Sequence, residues 1–331
     1  MKLIRFILSR PIEFKQERLY INNKMVKKEF GTKVYLKLFI CKFLDVYMGY
    51  RTSFYTSYLS KWCINEFDHI KNRLNYNEIK QEEKIYVWAL WWQGIDTAPE
   101  IVKACIESQK RNFPKEKFEY VLLDQYNLGN YIELPECYKK NLKEKNITLT
   151  HLSDLIRTEL LLKYGGIWID ATIYVTDRLN DSDLNVFFTN KKTAGTIGKN
   201  KLISGGRWTG CFMFCEKNNL LMQFMSEAFR YYWTSHKTLI EYLLIDYVIY
   251  AGYSIVREIR EMVDAVPYNN QDFYKMWENI NKNYSENLWK SITEEQVIHK
   301  LSYKGDILKD KNTIGGFICL QSGVNYNIDE K

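Results

Sequence analysis

The sequence predicts an α/β protein, a mainly parallel sheet flanked by helices, with a helical extension at its N-terminus. Three observations predict it. Lys84–Trp92 (KIYVWALWW) is an apolar run of strand length, and Ile101, Ala104, Cys105 and Ser108 then recur at about one helical turn. A second strand-like run, Phe118–Leu123, closes a strand–helix–strand unit, which starts a parallel, nucleotide-binding type of sheet. Farther on, His151–Val175 reads as helix, Gly-Gly turn and short buried strand.

The 331 residues are 46% apolar, 15% aromatic and 26% charged, a globular composition able to bury one large core or two small ones. The polar stretch Asn72–Lys84 marks a boundary between an extension, 1–84, and a main domain, 85–331. The extension reads as helix in short pieces, broken near Pro11, Gly31 and Gly49. Its start, MKLIRFILSRPIEFK, has Arg5 inside its only apolar patch and no small-residue cleavage site, so it makes a poor signal peptide. Apolar runs are too short to span a bilayer. Seven cysteines lack metal-type spacing, and Cys211 and Cys215 read as buried thiols in a strand. A reduced, cytoplasmic protein follows.

Charge is unevenly distributed. Residues 1–84 hold 17 Lys/Arg against 9 Asp/Glu, a net of +8, and the rest of the chain nets −1. A solvated helical surface explains this, and so does attraction to an anionic partner, either a lipid surface at the inner face of the plasma membrane or a polyphosphate. The mixture of aromatic and basic residues in KVYLKLFICKFLDVYMGYRTSFY suits an interfacial helix and a packed helix equally. No recognised module points to nucleic acid.

In the central unit, Ser153 is read as the helix cap, with Leu155, Ile156, Leu160 and Leu162 supplying apolar surface. Gly165-Gly166 ends the helix. The strand Ile167–Ile169 delivers Asp170 to its carboxyl end, where open α/β sheets bind ligands. A loop around Asn127–Asn130 and a lysine-rich helix precede this unit. Beyond it lie a polar turn (Asp177–Leu184) and two strands, Val186–Phe188 and Cys211–Cys215, around a loop at Gly195–Gly210. Helices follow at Phe224–Trp233 and Leu239–Tyr250, and after a long polar helical region comes the segment Val297–Lys304. Asp246 is the odd member of an apolar helix, and burying its charge unpaired would cost several kcal/mol.

Four blocks, Trp91-Trp92-Gln93-Gly94, Ser153-Asp154-x-x-Arg157, Gly165-Gly166…Asp170-Ala171-Thr172 and His299-Lys300-Leu301-Ser302-Tyr303-Lys304, together resemble the capsular polysaccharide synthesis glycosyltransferases. These are related to family 32 and the large clostridial toxin enzymes. The resemblance covers roughly residues 85–305. It implies a GT-A fold, Rossmann-like, that uses a UDP- or GDP-sugar donor and a divalent metal, Mn²⁺ or Mg²⁺, with retention of configuration. The acceptor it implies is a saccharide or lipid-linked oligosaccharide of a surface polysaccharide.

A departing diphosphate needs its charge neutralised, which an oxygen-bound divalent ion does without a proton. Asp170 is the first candidate ligand and the catalytic carboxylate. The family's second Asp is here Thr172, a weaker neutral ligand. By resemblance His299 closes the metal site or contacts phosphate, and Lys300 and Lys304 bind the diphosphate; against this, a histidine beside Ile298 usually belongs to the core. An extended segment turns Lys300 and Lys304 to one face and His299 to the other. Asp154 and Arg157 share a helix face. They are either a surface ion pair or, by resemblance, ligands of the donor sugar; Glu159 and Lys163 fit the plain surface pair better. Trp91, with Trp88 as the weaker choice, is read as stacking on the base or packing in the core, and Gln93 lies beside it in the donor-binding block. Asp246 faces acceptor or donor sugar, or caps a loop. Two other classes compete: a catalytically inactive sugar-nucleotide binder and a membrane-surface scaffold. A haloacid dehalogenase-type phosphatase would need a second Asp at position 172.

Overall fold

Among the described residues seven strands form, and the way they are joined sets their order. The computed structural model describes residues 23–47, 53–76, 84–179, 184, 186–192 and 202–324. In chain order the strands are β1 (Ile85–Leu90), β2 (Phe118–Leu123), β3 (Gly166–Ile169), β4 (Ile173–Val175), β5 (Phe187–Thr189), β6 (Phe212–Cys215) and β7 (Ile298–Lys300). Five make one sheet, ordered β2-β1-β3-β6-β5, and β4 pairs with β7 in a separate ladder. β1 is parallel to β2 and β3, whereas β6 is antiparallel to β3 and β5 to β6. The sheet is therefore mixed but mainly parallel, with only β6 reversed.

The helices used below are α1 (Asn23–Tyr47), α2 (Phe54–Phe67), α3 (Glu100–Asn112), α4 (Glu136–Lys143), α5 (Leu149–Tyr164), α6 (Leu220–Ser235) and α7 (Leu244–Ile255). α3 is the crossover that makes β1 and β2 parallel. α1 is two helical pieces, because Gly31 takes φ 83° and ψ 160°. α7 begins five residues later than its apolar pattern does. The Tyr232 hydroxyl accepts from the Ile240 N–H and donates to the Thr238 carbonyl, and so holds that segment out of the helix. Pro11, Gly49, residues 77–83 of the boundary, 180–183 of the polar turn and 195–201 of the glycine-containing loop lie outside the described residues.

Leu59, Cys63, Phe67 and Ile70 of the extension are buried in the same apolar cluster as Val87, Trp88, Phe214 and Phe224. A smaller cluster holds Ile101, Ala104, Cys105, Ala171, Tyr174, Leu301 and Ile314. β2 alternates between them: Val121 and Leu123 lie in the larger core, while Tyr120 and Leu122 also pack on the smaller. Each fully buried large side chain contributes roughly 1.5–3 kcal/mol.

α5 is capped by Thr148, not Ser153. Thr148 has an extended backbone and its hydroxyl accepts from the His151 N–H, whereas Ser153 lies one turn inside the helix. At the other end the Gly165 N–H, at φ 68°, closes on Leu161 O at 2.9 Å. Gly166 has φ 91°, and a Cβ there would meet the Tyr86 carbonyl oxygen at 2.3 Å. Both glycines are required, one for the turn and one for the approach of β3 to β1.

Candidate active site

β3 ends at Ile169, and the next three residues make a tight turn into β4. The Ile173 N–H bonds the Asp170 carbonyl at 2.9 Å, and the Asp170 N–H bonds Cys211 O at 2.9 Å. Helix α3 holds this turn by its side chains. Gln109, fully buried, donates to Asp170 O at 3.0 Å and Ile173 O at 2.7 Å, and Ser108 Oγ accepts from the Val175 N–H at 3.0 Å. A backbone fixed at this many points aims the Asp170 carboxylate.

Around that carboxylate three distant segments converge. Lys300 Nζ, from β7, lies 2.7 Å from Asp170 Oδ2 and 2.7 Å from Thr172 Oγ1. Arg157 Nη2, from α5, lies 3.3 Å from Oδ1, which also accepts the Trp168 indole N–H at 3.0 Å. Arg157 reaches Asp154 Oδ1 at 3.4 Å, and its guanidinium carbon lies 4.9 Å from the centre of the Trp168 ring. The Arg157 side chain is 6% exposed, while those of Asp170 and Lys300 are 26% and 20% exposed, so the guanidinium is buried and the carboxylate and ammonium stay partly accessible. Asp246 accepts the Trp208 indole N–H at 3.1 Å at the edge of the same group.

The electrostatics sort the carboxylates. Burial pushes Asp154 up to about 7, against the pull of Arg157 and with the added repulsion of Asp170 and Asp246. Burial likewise lifts Asp246 to about 6, moderated by Trp208 and Arg157. Burial acts on Asp170 in the same direction, but Lys300 and Arg157 outweigh it and hold its pKa below the usual carboxylate value. Asp170 is thus the ionised member, while the other two titrate near neutrality.

The structure brings together Asp154, Arg157, Asp170, Thr172 and Lys300, with Asp246 beside them. It does not bring the remaining candidates into contact with Asp170. His299 pairs with Tyr174 across the β4–β7 ladder, on the face opposite Lys300, and is fully buried. Its Nε2 lies 3.4 Å from Thr176 Oγ1, and burial lowers its pKa to about 4, so it is a neutral core residue rather than a neighbour of Asp170. Lys304 is exposed in the turn after β7, its ammonium 5.8 Å from the Tyr303 ring centre. Gln93 is also exposed. Trp91 packs edge-on to Tyr303 at 5.3 Å, and Trp88 is wholly buried with its N–H on Gly165 O. Glu159 pairs not with Lys163 but with Arg230 at 2.6 Å, while Lys163 donates to Tyr131 O. α5 is buried almost all round, so the surface pair read at i and i+4 does not exist.

Sequence reasoning missed Trp168, Trp208, Gly210 and Tyr274. Trp168 was legible as a neighbour of Asp170 but reads as core. Tyr274, 43% exposed, follows Phe273, whose carbonyl accepts the Lys300 N–H at 2.8 Å, and its pKa is raised by burial and by Cys211, Asp170 and Asp246 against the pull of Lys300. Only the chain path reveals it.

The donor set does not fit a divalent ion. Both Asp170 oxygens are engaged and an ammonium stands between Asp170 and Thr172. Among the described residues no group of three or more His, Cys, Asp or Glu side chains is arranged to hold a metal.

A family model described as capsular polysaccharide synthesis protein matches residues 47–318, and the chain belongs to that family. The match reaches past the blocks at 85–305 into the helical extension. The O-glycosyltransferase braB of Annulohypoxylon truncatum is 32% identical over 103 residues, 29% of this chain and 24% of that protein. The solved PaToxG glycosyltransferase overlaps 72% of this chain and 95% of its own, with 9% identity and a TM-score of 0.36. Among the described residues no helix is long and apolar enough to cross a membrane.

Proposed function

We propose that the chain is a glycosyltransferase that moves a sugar from a UDP- or GDP-linked donor to a saccharide or lipid-linked acceptor of a surface polysaccharide. One observation carries the reading: Arg157, Asp170 and Lys300 meet at the end of β3, where the Asp170 and Lys300 side chains stay 26% and 20% exposed. That is the ligand-binding end of an α/β sheet. Asp154 and Arg157 together offer a carboxylate and a guanidinium fork, which suit the vicinal hydroxyls of a sugar. Family membership supports the polysaccharide acceptor. In this reading the acceptor hydroxyl attacks on the face the diphosphate leaves, retaining configuration. Work takes place at the cytoplasmic membrane face, where Lys27, Lys28, Lys33 and Lys37, all exposed with Leu36 and Ile40, meet anionic lipid.

The test is release of nucleoside diphosphate from a panel of UDP- and GDP-sugars, with saccharide acceptors present. Turnover that disappears in Asp170→Asn upholds the proposal. Donor binding without turnover across the panel would reduce the protein to a sugar-nucleotide binder.

A further inference from the structure

We propose that Lys300 is the resident cation of this site, occupying the place of a divalent metal and neutralising the donor diphosphate without one. The inference rests on the donor-site reading above. Its basis is position. The Lys300 ammonium sits 2.7 Å from each of the two oxygens, Asp170 Oδ2 and Thr172 Oγ1, that an aspartate-x-threonine metal site would use. The other Asp170 oxygen is already taken by Trp168 and Arg157. A magnesium ion wants near-octahedral oxygen coordination at about 2.1 Å. Here it would find one carboxylate oxygen, one neutral hydroxyl and a fixed positive charge. The third expected ligand, His299, is turned to the opposite face of the ladder.

The ammonium is also held in position. The Lys300 N–H bonds Phe273 O at 2.8 Å, Lys300 is in register with Ile173, and the Leu301 N–H bonds Thr172 O at 2.9 Å. The turn that bears Asp170 and Thr172 and the strand that bears Lys300 are therefore one hydrogen-bonded unit. An ammonium has three N–H donors, and Asp170 and Thr172 take two. The third serves a diphosphate oxygen. In the transfer step the bond from the anomeric carbon to the β-phosphate oxygen breaks, with its electron pair going to that oxygen. The acceptor oxygen bonds the anomeric carbon and its proton passes to the departing phosphate. Lys300 keeps all its protons and stabilises the charge as it develops.

The test uses the full chain, stripped of metal, with UDP and GDP as probes. Their affinity is measured by calorimetry in EDTA and in MnCl₂, and Mn²⁺ binding is followed by electron paramagnetic resonance. The expected result is equal diphosphate affinity in both buffers and no Mn²⁺ bound in an Asp170-dependent manner. Lys300→Met should weaken that affinity about 10–100-fold, the loss of one charge-assisted contact, and Lys300→Arg should restore part of it. Diphosphate binding seen only with Mn²⁺, or Mn²⁺ bound to the wild type and lost in Asp170→Asn, overturns the inference and leaves the transferase reading standing. Binding of neither nucleotide in either buffer overturns both.

Discussion

Gly210 and Arg157 share one space: a Cβ at position 210 would stand 2.6 Å from Arg157 Nη1. The guanidinium fills the room the missing side chain leaves, and from there it reaches Asp154 and Asp170. Gly210→Ala should push Arg157 aside without unfolding the chain. A fall of about 10–100-fold in kcat/KM is expected for displacement of about 1 Å in a positioning group. Unchanged kinetics with a normal melting temperature would remove Arg157 from the site.

Asp170→Asn keeps the shape and leaves an oxygen to accept the Trp168 N–H, but it removes the only strongly ionised carboxylate between Lys300 and Arg157. Transfer should drop by roughly 10²–10³-fold, the scale of losing one preorganised electrostatic partner. Circular dichroism should remain native. A variant of full activity contradicts the assignment.

Asp154 sets a pH dependence whose sign can be worked out. Its folded pKa, about 7, lies above the value of 3.8 expected when unfolded. The folded state then binds the proton more tightly, and the stabilisation, complete below about pH 4, is lost as pH rises toward 7. Asp154→Asn should therefore gain melting temperature relative to the wild type as pH goes from 5 to 8. A difference that stays flat over that range would place the Asp154 pKa at its ordinary value.

Glu159 belongs to stability. Its buried carboxylate takes Ser226 Oγ at 2.9 Å and Arg230 at 2.6 and 3.2 Å, between α5 and α6. Glu159→Ala should cost about 1–2 kcal/mol, since it strips the buried Ser226 hydroxyl of its acceptor and the exposed Arg230 of its partner. Activity per folded molecule should hold. Chemical denaturation and kinetics on one preparation separate the two effects.

Much of this site is local and therefore legible in the chain. The helix, the Gly165-Gly166 turn, the strand and Asp170 follow from spacing, because apolar periodicity and glycine's freedom at positive φ act over a few residues. The same local logic turned His299 away from Lys300. Capping was less secure: Thr148 and Ser153 both have the right chemistry, and the choice depends on where the preceding loop lets the helix begin.

What the sequence determined alone is the short-range part: which segments are strands or helices, where glycine is obligatory, and which acid ends β3. The tertiary structure decided who that acid meets. Lys300 lies 130 residues away along the chain, and only the β4–β7 ladder brings it to Asp170. Glu159 chose Arg230 over Lys163 because packing of α5 on α6 buried the surface where the local pair would have formed. Contacts between distant segments depend on how cores close, a cooperative property that no short stretch of residues specifies.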